Sequence, residues 1–132
     1  MSTDIPTDHL TILGQPVRHP VAHVETFAAP AGCRRVRLTT DEVTSVCPVT
    51  GQPDLSTVVI DYTPADRCVE SKSLKLFLWS FRDRAVFAEA FAVEIADEIM
   101  ASAQPAHVAV TLTQRPRGGI TIEATAERDA IG

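Results

Sequence analysis

The apolar positions change period along the chain. Arg34–Thr40 alternates, with Val36 and Leu38 on one face and Arg35 and Arg37 on the other, the pattern of a half-buried strand. Thr57–Thr63 (TVVIDYT) is β-branched and alternates again, and Pro64 ends it. From Ser71 the spacing turns helical: Leu74, Phe77, Leu78 and Phe81 fall at i, i+3, i+4 and i+7. A second helix is expected over Val86–Ala103, with Phe87, Ala90, Phe91, Ile95 and Ile99 inward and Glu94, Asp97 and Glu98 facing solvent. Beyond Pro105, His107–Thr113 alternates, RPRGG supplies turn residues, and Ile120–Ala126 alternates once more, which reads as a hairpin. The order β–β–α–α–β–β predicts an α+β domain, a four-stranded antiparallel sheet with two helices on one face. Such a sheet has two open edges, a liability that a ring continuing the sheet between subunits would remove. Residues 1–33 show little periodicity and read as an irregular arm, with one short strand at Val21–Phe27; residues 34–132 form the single domain.

Composition narrows the class. A chain of 132 residues, 45% apolar and 22% charged, suits one globular domain. The net charge of −5 argues against a surface that grips nucleic acid, since phosphate contacts need clustered Lys and Arg. No apolar run reaches the length of a membrane span, and the N-terminus lacks the charged-then-apolar pattern of a signal peptide, so a cytoplasmic protein is expected. Cys33, Cys47 and Cys68 are odd in number and none are spaced as CxxC, so neither a disulfide framework nor a metal site is indicated.

Three stretches carry candidate chemistry. In SVCPVTGQPDLST, Cys47 sits in a polar turn ahead of Asp54. It is open whether that cysteine packs, binds metal, pairs with another thiol such as Cys68, or attacks; as a nucleophile it needs a lowered pKa or a nearby base, with Asp54 the available acid. In VESKSLKLF, Glu70 or Ser71 is placed to cap the helix, and Lys72 and Lys75 share a helix face, either solvated or an anion site. In QRPRGG, Arg115 and Arg117 flank a proline at the hairpin turn, where a planar guanidinium suits phosphate.

Together these stretches resemble the bacterial NADPH-dependent 7-cyano-7-deazaguanine reductases, the nitrile reductases of queuosine biosynthesis. CPVTGQPD is similar to the family's nucleophile segment, ESKSLKLF with SFRD to its helix motif, and PRGGI to its late hairpin, over about Val43 to Ile122. The resemblance implies the tunnelling fold and a homo-oligomeric ring, a pentamer or decamer, with sites between subunits. It implies NADPH as cofactor, a small deazapurine nitrile as substrate, and no direct nucleic-acid or membrane partner. On it, Cys47 attacks the nitrile carbon to give a thioimide and Asp54 protonates the nitrogen. Val69, Glu70, Ser71, Ala88 and Glu89 match substrate-contacting positions, and Lys72, Lys75 and Arg117 match residues holding the cofactor phosphates. The chain departs from the family at RDRAVFAEA, where the usual segment resembles RNHGDFHED: Arg84 and Ala88 replace two histidines. That departure keeps three alternatives in view: a modified deazapurine nitrile as substrate, an amidine-forming relative, and a non-catalytic deazapurine-binding protein.

Overall fold

The computed structural model describes residues 5–131. Its elements run β1 (Thr26–Ala28), β2 (Val36–Val46), β3 (Pro53–Thr63), β4 (Arg67–Val69), α1 (Ser71–Trp79), α2 (Ala88–Ala103), β5 (His107–Arg117) and β6 (Ile120–Asp129). The long strands form an antiparallel sheet in the order β2-β3-β5-β6, and β1 pairs with β4 in a separate two-stranded ribbon. The expected α+β arrangement is present, with one shifted strand and one addition. The arm's strand lies at Thr26–Ala28 rather than Val21–Phe27, and its partner β4 was not legible, because a three-residue strand has no measurable period.

One sheet face makes the core. Val58, Ile60 and Tyr62 of β3 and Val108, Val110 and Leu112 of β5 are buried at alternate positions. Helix α2 covers them with Phe91, Ala92, Ile95, Ala96 and Ile99. Phe81 stacks on Phe91 at 4.2 Å and meets Phe77 edge-on at 5.4 Å, locking the two helices together. Phe81 itself lies past the end of α1, where the bonds tighten to Ser80 N→Phe77 O and Phe81 N→Leu78 O.

Two expectations for α2 need correction. Phe87 is the N-cap residue and 56% exposed, and Ala90 is exposed, because the helix starts at Ala88 and its inward face runs through Ala88, Phe91 and Ala92. Glu98 does not face solvent: its carboxylate accepts from Val24 N at 2.8 Å and from the His23 ring at 3.2 Å, fastening the arm to the helix.

Two bulges shape the end of the sheet that carries Cys47 and Asp54. In β2 the register slips by one between Thr40 and Val43, so Val43 and Ser45 share the buried face with Leu38 despite their odd spacing. In β5–β6 it slips between Gln114 and Arg117, and Gly118 and Gly119 close the hairpin with φ of 58° and 79°. Positive φ at both central residues is the turn that matches strand twist and needs glycine. No helix among the described residues is long and apolar enough to cross a membrane.

Candidate active site

Cys47 follows the last residue of β2. Its N–H donates to Gln52 O at 2.9 Å and its carbonyl accepts from Gly51 N at 2.9 Å, closing a tight loop with Gly51 at φ 72°. The Thr50 hydroxyl and the Thr50 and Val49 N–H groups converge on the sulfur and hold the thiol below its ordinary pKa. The Arg117 charge adds a smaller push in the same direction. The thiol is half-exposed, so a thiolate there is both favoured and reachable.

Asp54 stands opposite Ser45 in the β2–β3 ladder and is only 4% exposed. Arg117 Nε lies 2.8 Å from its Oδ1. That oxygen is buried and has no aligned hydrogen bond, so the contact is an ion pair by distance only and the oxygen keeps unused acceptor capacity. Arg117 also donates to Thr50 Oγ1 at 3.1 Å and to Pro53 O at 2.7 Å. One guanidinium thereby joins the carboxylate to the loop that carries the thiol. The β5–β6 bulge permits this, since strict alternation from Gln114 would turn residue 117 to the other face.

The helix-connecting loop docks at the same end. Val46 N donates to Arg84 O at 2.9 Å and Val86 N to Val46 O at 3.2 Å, pairing residues 84–86 with the strand end next to Cys47. Glu89 follows on the exposed first turn of α2. Ala88 is 3% exposed and part of the core, so it presents no polar group. Arg84 pairs with Glu94 at 3.0 Å and covers the Phe81 ring at 4.6 Å. Both positions that hold histidine in the resembled family are thus occupied by packing and ion pairing.

The remaining predicted residues lie elsewhere. Val69 N donates to Tyr62 OH at 2.8 Å, at the far end of β3 from Asp54. Eight residues of strand separate Asp54 from Tyr62, about 26 Å at about 3.3 Å per residue. Glu70 is 3% exposed and is the N-cap of α1; its two oxygens accept from Lys72 N at 2.7 Å and Ser73 N at 2.8 Å. Ser71 is exposed. Val69, Glu70 and Ser71 line a cleft of about 620 Å³ with Cys33, Tyr62 and Cys68. Cys68 is buried there, its thiol pushed up by burial, and it neighbours Cys33 and Tyr62 rather than Cys47. Lys72 Nζ donates to Ile12 O at 3.1 Å and Gln15 O at 2.5 Å, and Lys75 lines an apolar cleft of about 540 Å³ between β2 and α1. Arg117 does not join these lysines within the chain. Arg117's link to Thr50 had no sequence signal, because it depends on the hairpin bulge, whereas Thr50 itself is set by the local loop three residues after the thiol.

The model of the QueF-like protein family matches residues 53–131. A curated NADPH-dependent 7-cyano-7-deazaguanine reductase of Alkalilimnicola ehrlichii is 44% identical over 115 residues, covering 86% of this chain and 89% of that protein. The chain belongs to this family. A reductase of the same name from Frankia casuarinae is 40% identical over 116 residues, with 88% and 93% covered. The family's fold is also matched in a solved structure, the apo archaeosine synthase QueF-Like, at a TM-score of 0.70 and 28% identity over 79% of this chain and 99% of that one. The α+β sheet-and-helix arrangement is therefore the tunnelling type expected above.

Proposed function

We propose that this family member is an NADPH-dependent reductase that converts the nitrile of 7-cyano-7-deazaguanine to the primary amine, in queuosine biosynthesis. The observation that carries the reading is the Cys47 loop: a reachable thiol with lowered pKa, tied through Thr50 and Arg117 to a buried carboxylate. In the reaction, Cys47 adds to the nitrile carbon as thiolate while Asp54 takes the thiol proton and gives it to the nitrogen, so a neutral thioimide forms. When bound, NADPH supplies hydride, and two NADPH with two protons account for nitrile to amine. Arg117 keeps Asp54 and the thiol loop in register through both reductions, and Cys47 leaves as thiolate between them. Lys72 and Lys75 fit the cofactor's phosphates, since neither is ion-paired among the described residues.

Within one chain the thiol and the Val69–Ser71 segment lie too far apart to hold one bicyclic ring, by the strand separation above. The catalytic end is also ringed by exposed apolar side chains: Val49 at 80%, Phe87 at 56% and Ile120 at 68%. Both features support a homo-oligomer in which one copy provides Cys47, Asp54 and Glu89 and its neighbour provides Val69, Glu70 and Ser71. Glu89 suits the guanine-type edge, accepting from ring N–H and exocyclic amine.

Intact mass after mixing with 7-cyano-7-deazaguanine, without NADPH, tests the chemistry. A gain of one substrate mass, absent in Cys47→Ala, is expected. An unmodified mass from folded, reduced protein would rule the reading out.

A further inference from the structure

We propose that the N-terminal arm completes the cofactor site: Arg18, with Lys72 and Lys75, binds the 2′-phosphate on the adenosine half of NADPH, and Trp79 takes the adenine. This rests on the reductase reading and assigns the residues that select the phosphorylated cofactor.

The arm is built to do this. Lys72 Nζ donates to Ile12 O and Gln15 O, and Gln15 N returns to Ile12 O at 3.0 Å, so the lysine pins a turn. Gly14, at φ 74°, allows that turn. The chain then lays Pro16–Arg18 over α1, enclosing a cleft of about 430 Å³ against Lys72, Lys75 and Trp79.

Its charge is one-sided. Three cations line it, no acidic side chain does, and none of the three is ion-paired among the described residues. Elsewhere Arg35, Arg37, Arg84, Arg117 and Arg128 have carboxylate partners while, among the described residues, Arg34, Arg67, Arg82 and Arg115 do not, so what marks the cleft is that three unpaired cations share one wall. In a chain with 17 acidic and 12 basic residues, three uncompensated cations on one wall call for an anion from outside. Glu70 occupies the first N–H groups of α1, so that anion is held by side chains and not by the helix end. Arg18 offers the planar fork that suits a phosphate monoester, and Lys72, with two N–H groups on carbonyls, has a third left to donate. Trp79 is 36% exposed on the same wall and provides an aromatic surface for a base. Cations beside an exposed indole suit a phosphorylated purine nucleoside.

Trp79 is the chain's sole tryptophan and lines both this cleft and the one between β2 and α1, so its fluorescence reports binding on this wall and the Arg18 variants assign it to the arm side. The test titrates the full chain with adenosine 2′,5′-bisphosphate and, separately, with 5′-AMP. A saturable response is expected, with the bisphosphate binding roughly tenfold tighter, the order of one charge-assisted phosphate contact. Arg18→Gln, at an exposed position on the arm, should remove most of that preference, and Arg18→Lys should return part of it. In turnover, Arg18→Gln should raise KM for NADPH far more than it changes kcat. Equal affinity for the two nucleotides, or an unchanged preference in Arg18→Gln, overturns the assignment. A nitrile adduct without any fluorescence response overturns it too and leaves the reductase reading intact. A bisphosphate-selective response in a protein that forms no adduct supports the nucleotide site and removes only the reductase reading.

Discussion

Replacing Glu70 separates stability from binding. Its carboxylate caps α1 through two short hydrogen bonds, from Lys72 N and Ser73 N, at a site only 3% exposed. Glu70→Ala leaves both N–H groups without a partner. Losing an N-cap costs about 0.5–2 kcal/mol, and bonds to a charged acceptor in a buried place put this one at or above the upper end, about 2–3 kcal/mol. At about 2.1 cal/mol/K per residue, 132 residues convert each kcal/mol into about 3.6 °C, so Tm should fall by about 7–11 °C. Thermal unfolding at one fixed protein concentration measures it, since assembly makes Tm concentration-dependent. Glu70→Asp should recover most of the loss, because aspartate is a preferred cap, while its stem is shorter by one bond, about 1.5 Å. If the same carboxylate also contacts the substrate with its remaining lone pairs, Glu70→Asp is stable yet slow to form the nitrile adduct. A Glu70→Ala protein that melts within about 2 °C of the parent would refute the capping argument, as the predicted shift is several times larger.

Thr50→Val removes the largest cause of the lowered Cys47 pKa, so the pH midpoint of thiol alkylation should rise toward the ordinary thiol value; an unmoved midpoint would mean the hydroxyl is not the cause. The direction follows from the thiolate being the form that Thr50 stabilises: without it, a higher pH is needed for the same reactive fraction. Phe91→Ala opens a cavity under Phe81 in the centre of the core and should cost about 3–5 kcal/mol in chemical denaturation, with the denaturant slope unchanged. Cys47→Ala and Ser71→Trp, each inactive alone, should regain activity when unfolded and refolded together, because a mixed ring contains some sites built from two intact halves. Activity no greater than the sum of the separate samples would place the whole site within one chain.

Local pattern decided much of this protein. The period-two runs around Val36 and Leu38 and along TVVIDYT, and the helical spacing of Leu74, Phe77 and Leu78, specify strands and helices because each depends only on near neighbours. The motif around Cys47 likewise announces a thiol in a turn, and the lysine pair a shared helix face. Register and layer placement were decided only in three dimensions. Nothing in RPRGG tells that a slip between Gln114 and Arg117 carries Arg117 to Asp54, since a bulge is set by the twist and pairing of both strands at once. The even-to-odd switch between Thr40 and Val43 broke the visible alternation for the same reason. Phe87 reads as core by spacing but lies outside it, because the loop that pairs with Val46 fixes where α2 can begin. That Arg18 meets Lys75 and Trp79 is likewise invisible along the chain, because some sixty residues intervene and only the fold of the arm over α1 brings them to one wall.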